Sequence, residues 1–156
     1  MNAIALRIEN IEKDRAEIAY SIWGTMYLQI GDQCFPDKNW TDCVSSVLDM
    51  WAFGLRSYIR GKEKSCALPF MDGPYEVRLT TLADNQVLCT CFGGFVEQEI
   101  AGGQVSFTEF LDAYLLALSG FISACESEIP DAMKKKYLHN LKKDYLDLQK
   151  ERETLV

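Results

Sequence analysis

Two pairs of carboxylates have the residue types and spacing of an acid/base couple. Glu97 and Glu99 are two residues apart in FVEQEIAGGQ (95–104), and Asp72 and Glu76 flank a glycine-proline turn. Alternation along a strand would place Glu97 and Glu99 on one side, where mutual repulsion can raise one pKa and supply a general acid. The same spacing is typical of a solvent-facing strand edge, which carries charge to discourage pairing with other sheets. Because such pairs are common on strands, we predict no catalytic residues.

The other reactive residue types do not form a recognisable site. The only histidine, His139, lies in the lysine-rich segment KKKYLHNLKK, on the polar side of a predicted helix, so no cysteine or serine has an evident general base. No C-x-x-C motif or phosphate-binding loop occurs among the 156 residues. Cys89 and Cys91 are predicted to be reduced, buried members of a strand. We therefore expect a non-enzymatic protein with no cofactor and no metal.

The charge distribution is the least ordinary feature of the chain. The net charge is −7, and no lysine or arginine occurs between Arg78 and Lys134. This balance argues against binding to a nucleic-acid backbone and is compatible with a basic protein partner, or merely with solubility. Residues 65–129 contain Arg78 against nine acids, which are Asp72, Glu76, Asp84, Glu97, Glu99, Glu109, Asp112, Glu126 and Glu128. The alternative is that the basic last helix folds over these acids and cancels them internally.

The segment LPFMDGPYEVRL (68–79) is the candidate for presenting this charge. Pro69 and the sequence Asp72-Gly73-Pro74 predict a rigid corner between two strands, although an ordinary hairpin turn has the same composition. We predict that the partner is bound by carboxylates grouped in this hairpin region. The predicted partner-binding residues are Asp72, Glu76, Asp84, Glu97 and Glu99.

These residues would be positioned by one α+β domain spanning residues 1–156. Apolar alternation predicts an antiparallel sheet of about six strands, with two long helices packed on it and a C-terminal amphipathic helix at about 130–155. The first helix extends to about Arg60, with Asn39 and Asp42 as a capping pair, and the second opens with a Ser106–Glu109 capping box. Predicted strands cover 3–9, 16–23, 25–30, 65–70, 75–82, 86–92 and 95–101.

The two predicted helix starts resemble each other. NWTDCVSSVLDMW and SFTEFLDAYLLAL begin 67 residues apart and share a cap, an aromatic residue, a threonine and an acid before an apolar helix. The resemblance is compatible with a duplicated strands-then-helix unit, and equally with two independent capping patterns.

The chain has no evident targeting or membrane segment. MNAIALRIEN lacks the cationic leader and long apolar run of a secretory signal, and the apolar segment 113–125 is shorter than a bilayer span. We expect a cytoplasmic protein that does not enter the membrane.

FPDKNWTDCVSSVLDMW (35–51) and LPFMDGPYEVRL resemble small acidic α+β proteins encoded in bacteria. Some of these are immunity proteins of polymorphic-toxin or contact-dependent growth inhibition systems. The resemblance implies a cytoplasmic, non-enzymatic inhibitor that binds one toxin domain, and it carries over no catalytic residues. An acidic half is expected if that toxin is a basic nuclease. The alternatives are an intracellular small-molecule-binding or regulatory domain, using a sheet face lined by Tyr and Trp, and an enzyme with a carboxylate pair.

Overall fold

The computed structural model describes residues 2–12, 21–61, 63–94, 98–129 and 131–155, with the side chains of the last range described from residue 138 onward. It contains eight strands and three helices within these ranges. In chain order they are β1 (Ile4–Glu12), β2 (Trp23–Ile30), β3 (Gln33–Phe35), β4 (Thr41–Asp42), α1 (Val44–Ile59), β5 (Ser65–Pro69), β6 (Tyr75–Thr81), β7 (Gln86–Gly93), β8 (Gln98–Ser106), α2 (Phe107–Glu128) and α3 (Asp131–Thr154).

The strands form two antiparallel sheets. The first has the order β1-β2-β3, with β4 also paired to β2, and the second is a four-stranded meander, β5-β6-β7-β8. The α+β class is confirmed, and the single sheet of about six strands is wrong. One reason is that β3 and β4 contain three and two residues, which is too few for hydrophobic alternation to be visible. The other is that the sheet to which a strand belongs depends on pairing with distant strands rather than on the local sequence pattern.

Most element boundaries agree with the sequence pattern, and the largest differences lie at strand ends. β1 and β8 run on to Glu12 and Ser106, beyond the predicted ends. Residues 16–20 and 95–97 of two predicted strands lie outside the described residues. Each half of the chain has four strands followed by a helix, as a duplicated unit would, but the two sheets are paired differently.

The two long helices start in different ways. At α2 the predicted capping box is confirmed on the N-cap side, because the Ser106 hydroxyl accepts a hydrogen bond from the Glu109 amide at 3.3 Å. At α1 the predicted Asn39–Asp42 capping pair is wrong. The N-cap is Cys43, which makes no side-chain capping bond, and the carboxylate of Asp42 is used elsewhere.

One hydrophobic core is shared by both sheets and the three helices. Trp51 of α1 is fully buried and packs edge-on against Phe70 with ring centroids 5.4 Å apart. Tyr114 of α2 donates a hydrogen bond to the Leu48 carbonyl at 2.6 Å, which ties α2 to α1. The C-terminal helix α3 is seated on the body by the buried side chains Leu138, Leu141 and Leu148.

Helix α2 is apolar enough to cross a membrane by length and composition. It has 22 residues and a mean hydropathy of 1.2 over its most apolar stretch, whereas the sequence predicted an apolar segment, 113–125, shorter than a bilayer span. Its apolar stripe packs into the core, and a core helix meets the same criteria. The buried residues are Phe107, Phe110, Leu111, Tyr114, Leu115, Leu118, Phe121 and Cys125.

Candidate functional site

The meander of the second sheet separates the predicted partner-binding residues. The turns after β5 and after β7 lie at one end of the sheet, and the turn after β6 lies at the other. Asp72, Glu76 and Glu99 are therefore at the first end, which we call the hairpin end, whereas Asp84 is at the opposite end. The seven residues of β6 separate the ends by roughly 20 Å. Glu97 lies outside the described residues. The predicted grouping of all these carboxylates in one region is thus wrong for Asp84.

A buried carboxylate fixes the corner at the hairpin end. Asp42 is fully buried, and its Oδ2 accepts hydrogen bonds from Trp40 Nε1 at 2.8 Å and from the amides of Met71 and Asp72 at 3.2 Å each. Its Oδ1 accepts from the Cys43 amide at 2.8 Å. A buried charge is stable only when hydrogen bonds replace its lost hydration, as these four donors do. Asp42 therefore holds the acidic corner in one conformation.

The outer face of the second sheet places two of the predicted carboxylates in one cross-strand row. The row consists of Pro69 on β5, Glu76 on β6, Phe92 on β7 and Glu99 on β8. Arg78 binds Glu76 at 2.6 Å, and its guanidinium carbon lies 4.5 Å from the centre of the Phe92 ring. The charge of Glu76 is therefore partly balanced within the sheet, and Glu99 is the exposed acid of the row.

A shallow apolar depression of about 310 Å³ lies at the hairpin end, between the corner and β7. Two large apolar side chains are exposed at the same end, Met71 at 51% and Ile100 at 55%. Apolar contacts at the centre with charges at the edge are the usual arrangement of a protein-binding surface. The depression is lined by Pro69, Phe70, Gly73, Pro74, Tyr75, Glu76, Phe92, Gly93 and Gly94.

The acids of α2 are partly neutralised by the last helix. Arg152 binds the carboxylate of Asp112 through two nitrogens, at 2.7 and 3.2 Å, and Lys142 binds Glu126 at 2.5 Å. The internal cancellation that the sequence left open therefore occurs on α2. Asp72 and Glu99 of the hairpin end are exposed on a different part of the molecule, and Asp84 at the opposite end of the sheet and Glu109 and Glu128 on α2 are exposed as well.

Three of the buried cysteines are poor nucleophiles, and the described residues form no metal centre. Burial raises the pKa of Cys43, Cys66 and Cys125 to about 12, so these thiols remain protonated at neutral pH and react slowly. His139 is exposed on α3. Within the described ranges no group of three or more His, Cys, Asp or Glu side chains is arranged to hold a metal ion.

A larger groove, which the sequence reasoning missed, lies between α1 and β5. Its volume is about 930 Å³, and we call it the α1–β5 groove. The sequence contains one signal of this groove, because Phe53 falls outside the apolar stripe that Val44, Val47, Leu48 and Trp51 define. In the structure the Phe53 side chain is 75% exposed. Other lining residues are Asp49, Met50, Gly54, Ser57, Tyr58, Arg60, Glu63, Ser65, Cys66, Ala67 and Pro69.

A pair of carboxyl groups lies between α1 and α3, at the Asp49 end of this groove. The Oδ2 atom of Asp144 is buried. The pKa of Asp144 is raised to about 8, first by burial and then by the hydrogen bond to Asp49 and the charge of Asp49. The positive charge of Arg56 lowers this pKa by a smaller amount. Asp144 therefore keeps its proton at neutral pH. The pair was not predicted, because its members are 95 residues apart.

No family model matches the chain, and no curated protein or solved structure is similar to it.

Proposed function

We propose that this protein is a non-enzymatic inhibitor that binds and neutralises a basic partner protein, as an immunity protein does with its toxin domain. The observation that carries the proposal is the fixed acidic corner beside an apolar depression at the hairpin end. Asp72 stands on a turn that the buried Asp42 holds, and Glu76 and Glu99 lie in the adjoining row of the sheet. Of the predicted contacts, Asp72, Glu76 and Glu99 belong to this surface.

Binding would combine apolar anchors with charge. Met71, Ile100 and Phe92 offer contact area at or beside the depression, and a few such anchors supply most of the affinity in protein interfaces. A lysine or arginine of the partner can direct its charge to Glu99, the exposed acid of the row, because Glu76 and the ring of Phe92 already contact Arg78. Because Asp42 already orders the corner, less conformational entropy is lost on binding.

The charge of this surface defines the chemistry of the partner. A cationic patch, such as the phosphate-binding groove of a nuclease toxin domain, is complementary to exposed carboxylates, and long-range attraction accelerates the encounter. A carboxylate surface that fills such a groove keeps nucleic acid out of it. The proposal places both proteins in the cytoplasm, where such a toxin would act.

The proposal is tested by identifying the partner through cross-linking and then measuring association between the two purified proteins at several salt concentrations. Glu99→Gln should slow association about three- to tenfold at low salt, and the effect should shrink as salt is added. Asp84→Asn is the matched control, since it removes one negative charge at the opposite end of the same sheet. It should leave the association rate within about twofold.

A second measurement connects binding with neutralisation. Cells producing the partner should be protected by the wild-type protein and by the Asp84→Asn variant, and less well by Glu99→Gln. If Glu99→Gln and Asp84→Asn slow association equally, the association rate depends on the net charge of the protein and not on the hairpin end, which would contradict the proposed binding surface. A partner whose association is insensitive to salt would contradict the electrostatic part of the proposal.

A further inference from the structure

We propose that the α1–β5 groove is a second part of the same binding surface and takes an amphipathic helix of the basic partner. Apolar side chains of that helix would contact Phe53 and Met50, and a lysine or arginine would contact Asp49. The inference rests on the proposed function, because it assigns a further contact to the same partner.

The walls of the groove favour a helix over an added strand. β5 is the edge strand of its sheet, which would ordinarily invite strand addition. Here α1 lies against that edge: Trp51 Nε1 donates to the Pro69 carbonyl at 2.7 Å, and a Cβ at Gly54 would be 3.3 Å from the Ala67 carbonyl. The edge backbone at these two positions is occupied, so a ligand must bind through side chains, as a helix in a groove does.

The groove exposes an unusually large apolar side chain. Phe53 is 75% exposed in the middle of a helix whose opposite face is fully buried. Its ring lines the groove with Met50 and the outer surface of Pro69. Aromatic side chains bury large areas when they anchor an interface, so this position has the character of an anchor.

The groove is continuous with the hairpin end. Pro69 lines both the α1–β5 groove and the smaller depression. The two depressions therefore adjoin at Pro69, and the ion pair of Glu76 with Arg78 lies between Pro69 and Phe92. One partner can contact both parts.

The charge of the groove is complementary to a basic ligand. Asp49 and Glu63 line it, and the positive charge of Arg60 is paired with Glu151 at 3.0 Å. A cationic side chain arriving at Asp49 or Glu63 would be attracted by these carboxylates, whereas an acidic ligand would be repelled.

The probe for the experiment is a designed amphipathic helical peptide made only of leucine and lysine, with a leucine-glutamate peptide as its charge-reversed control. Binding to the full-length protein is measured by fluorescence anisotropy. Phe53→Ser should weaken binding of the leucine-lysine peptide at least tenfold. Leu116→Ser is the matched control, since Leu116 is 77% exposed on α2 and lines no part of the groove, and it should change binding less than twofold. Both side chains are exposed, so both variants should melt at the wild-type temperature.

Three results would overturn the inference: equal weakening by Phe53→Ser and Leu116→Ser, no weakening by either, or equal binding of the two peptides. Each leaves the Glu99→Gln measurement on the natural partner unaffected. Conversely, if Phe53→Ser weakens binding of both the peptide and the partner while Glu99→Gln has no effect, the groove is supported and the hairpin-end assignment fails.

Discussion

Replacing Asp144 with asparagine should change how the stability of the protein depends on pH. In the unfolded chain Asp144 loses its proton near its usual pKa of about 3.9. In the folded protein the proton stays until the pH approaches about 8. Between these values the folded state holds one more proton than the unfolded state, so the free energy of unfolding falls as the pH rises, and it levels off above pH 8.

The size of the effect follows from the displacement of the pKa. A difference of one bound proton changes the free energy of unfolding by about 1.4 kcal/mol per pH unit, so the interval between the two pKa values corresponds to ~6 kcal/mol. Asp144 is only partly buried, and solvent screens its interactions, so we take about half, ~3 kcal/mol. Asparagine does not titrate and can still donate a hydrogen bond to Asp49. The variant should therefore gain stability over the wild type as the pH rises, by about 1.5 to 2 kcal/mol between pH 5.5 and 8.

Urea unfolding of both proteins across this range measures the difference. Arg56, Asp147 and Tyr114 interact electrostatically with Asp144, and a control at Asp147 changes one of these interactions while keeping both Asp49 and Asp144. Asp147→Asn makes the same chemical change one turn further along α3, where it removes pairs with Arg56 at 3.3 Å and Lys143 at 3.6 Å. It should lower stability by up to ~1 kcal/mol without a gain that grows with pH. A constant difference between Asp144→Asn and wild type from pH 5.5 to 8 would refute the raised pKa of Asp144.

Three further perturbations test how the site and the last helix are held. Asp42→Ala leaves its buried amide and indole donors without an acceptor and should cost about 2 to 5 kcal/mol in urea unfolding, with increased proteolysis at the corner. Leu148→Ala removes a fully buried side chain of α3 and should cost about 2 to 5 kcal/mol, whereas Leu146→Ala, at a 56% exposed position of the same helix, should change stability by less than about 0.5 kcal/mol. With a thiol reagent at neutral pH, Cys34, which is half-buried, should react first, and the five buried cysteines should react only on unfolding; fast reaction at Cys66 would contradict the burial argument.

Local chemistry made much of the fold predictable. The Ser106 cap, the apolar stripe of α2 and the turn at Asp72-Gly73-Pro74 depend on residues within a few positions of one another, and all three appear where the sequence places them. β3 and β4 are too short to produce a periodic signal. The division into two sheets depends on which strands meet across the whole chain, and no local pattern encodes it.

The role of Asp42 shows the same limit at the site. Its position three residues after Asn39 is typical of a helix start, and the sequence reasoning assigned it there. In the structure its carboxylate binds amides 29 and 30 residues further along the chain. The acidic corner was predicted correctly as a turn, but what makes it rigid could not be inferred, because that partner is distant in sequence.

The C-terminal helix determines where negative charge is left available. Arg152 and Lys142 neutralise Asp112 and Glu126 on α2, so the side of the molecule covered by α3 presents paired charges, which attract a distant cation weakly. The hairpin end and the Asp49 end of the groove receive no charge from these two residues. Under the proposed function, a basic partner approaching from solution would be drawn to the hairpin end and to the α1–β5 groove, which adjoin at Pro69. Charge reversal at Lys142 would add negative potential on α2 and should redirect part of the encounter there, which slows productive association without altering the contact residues.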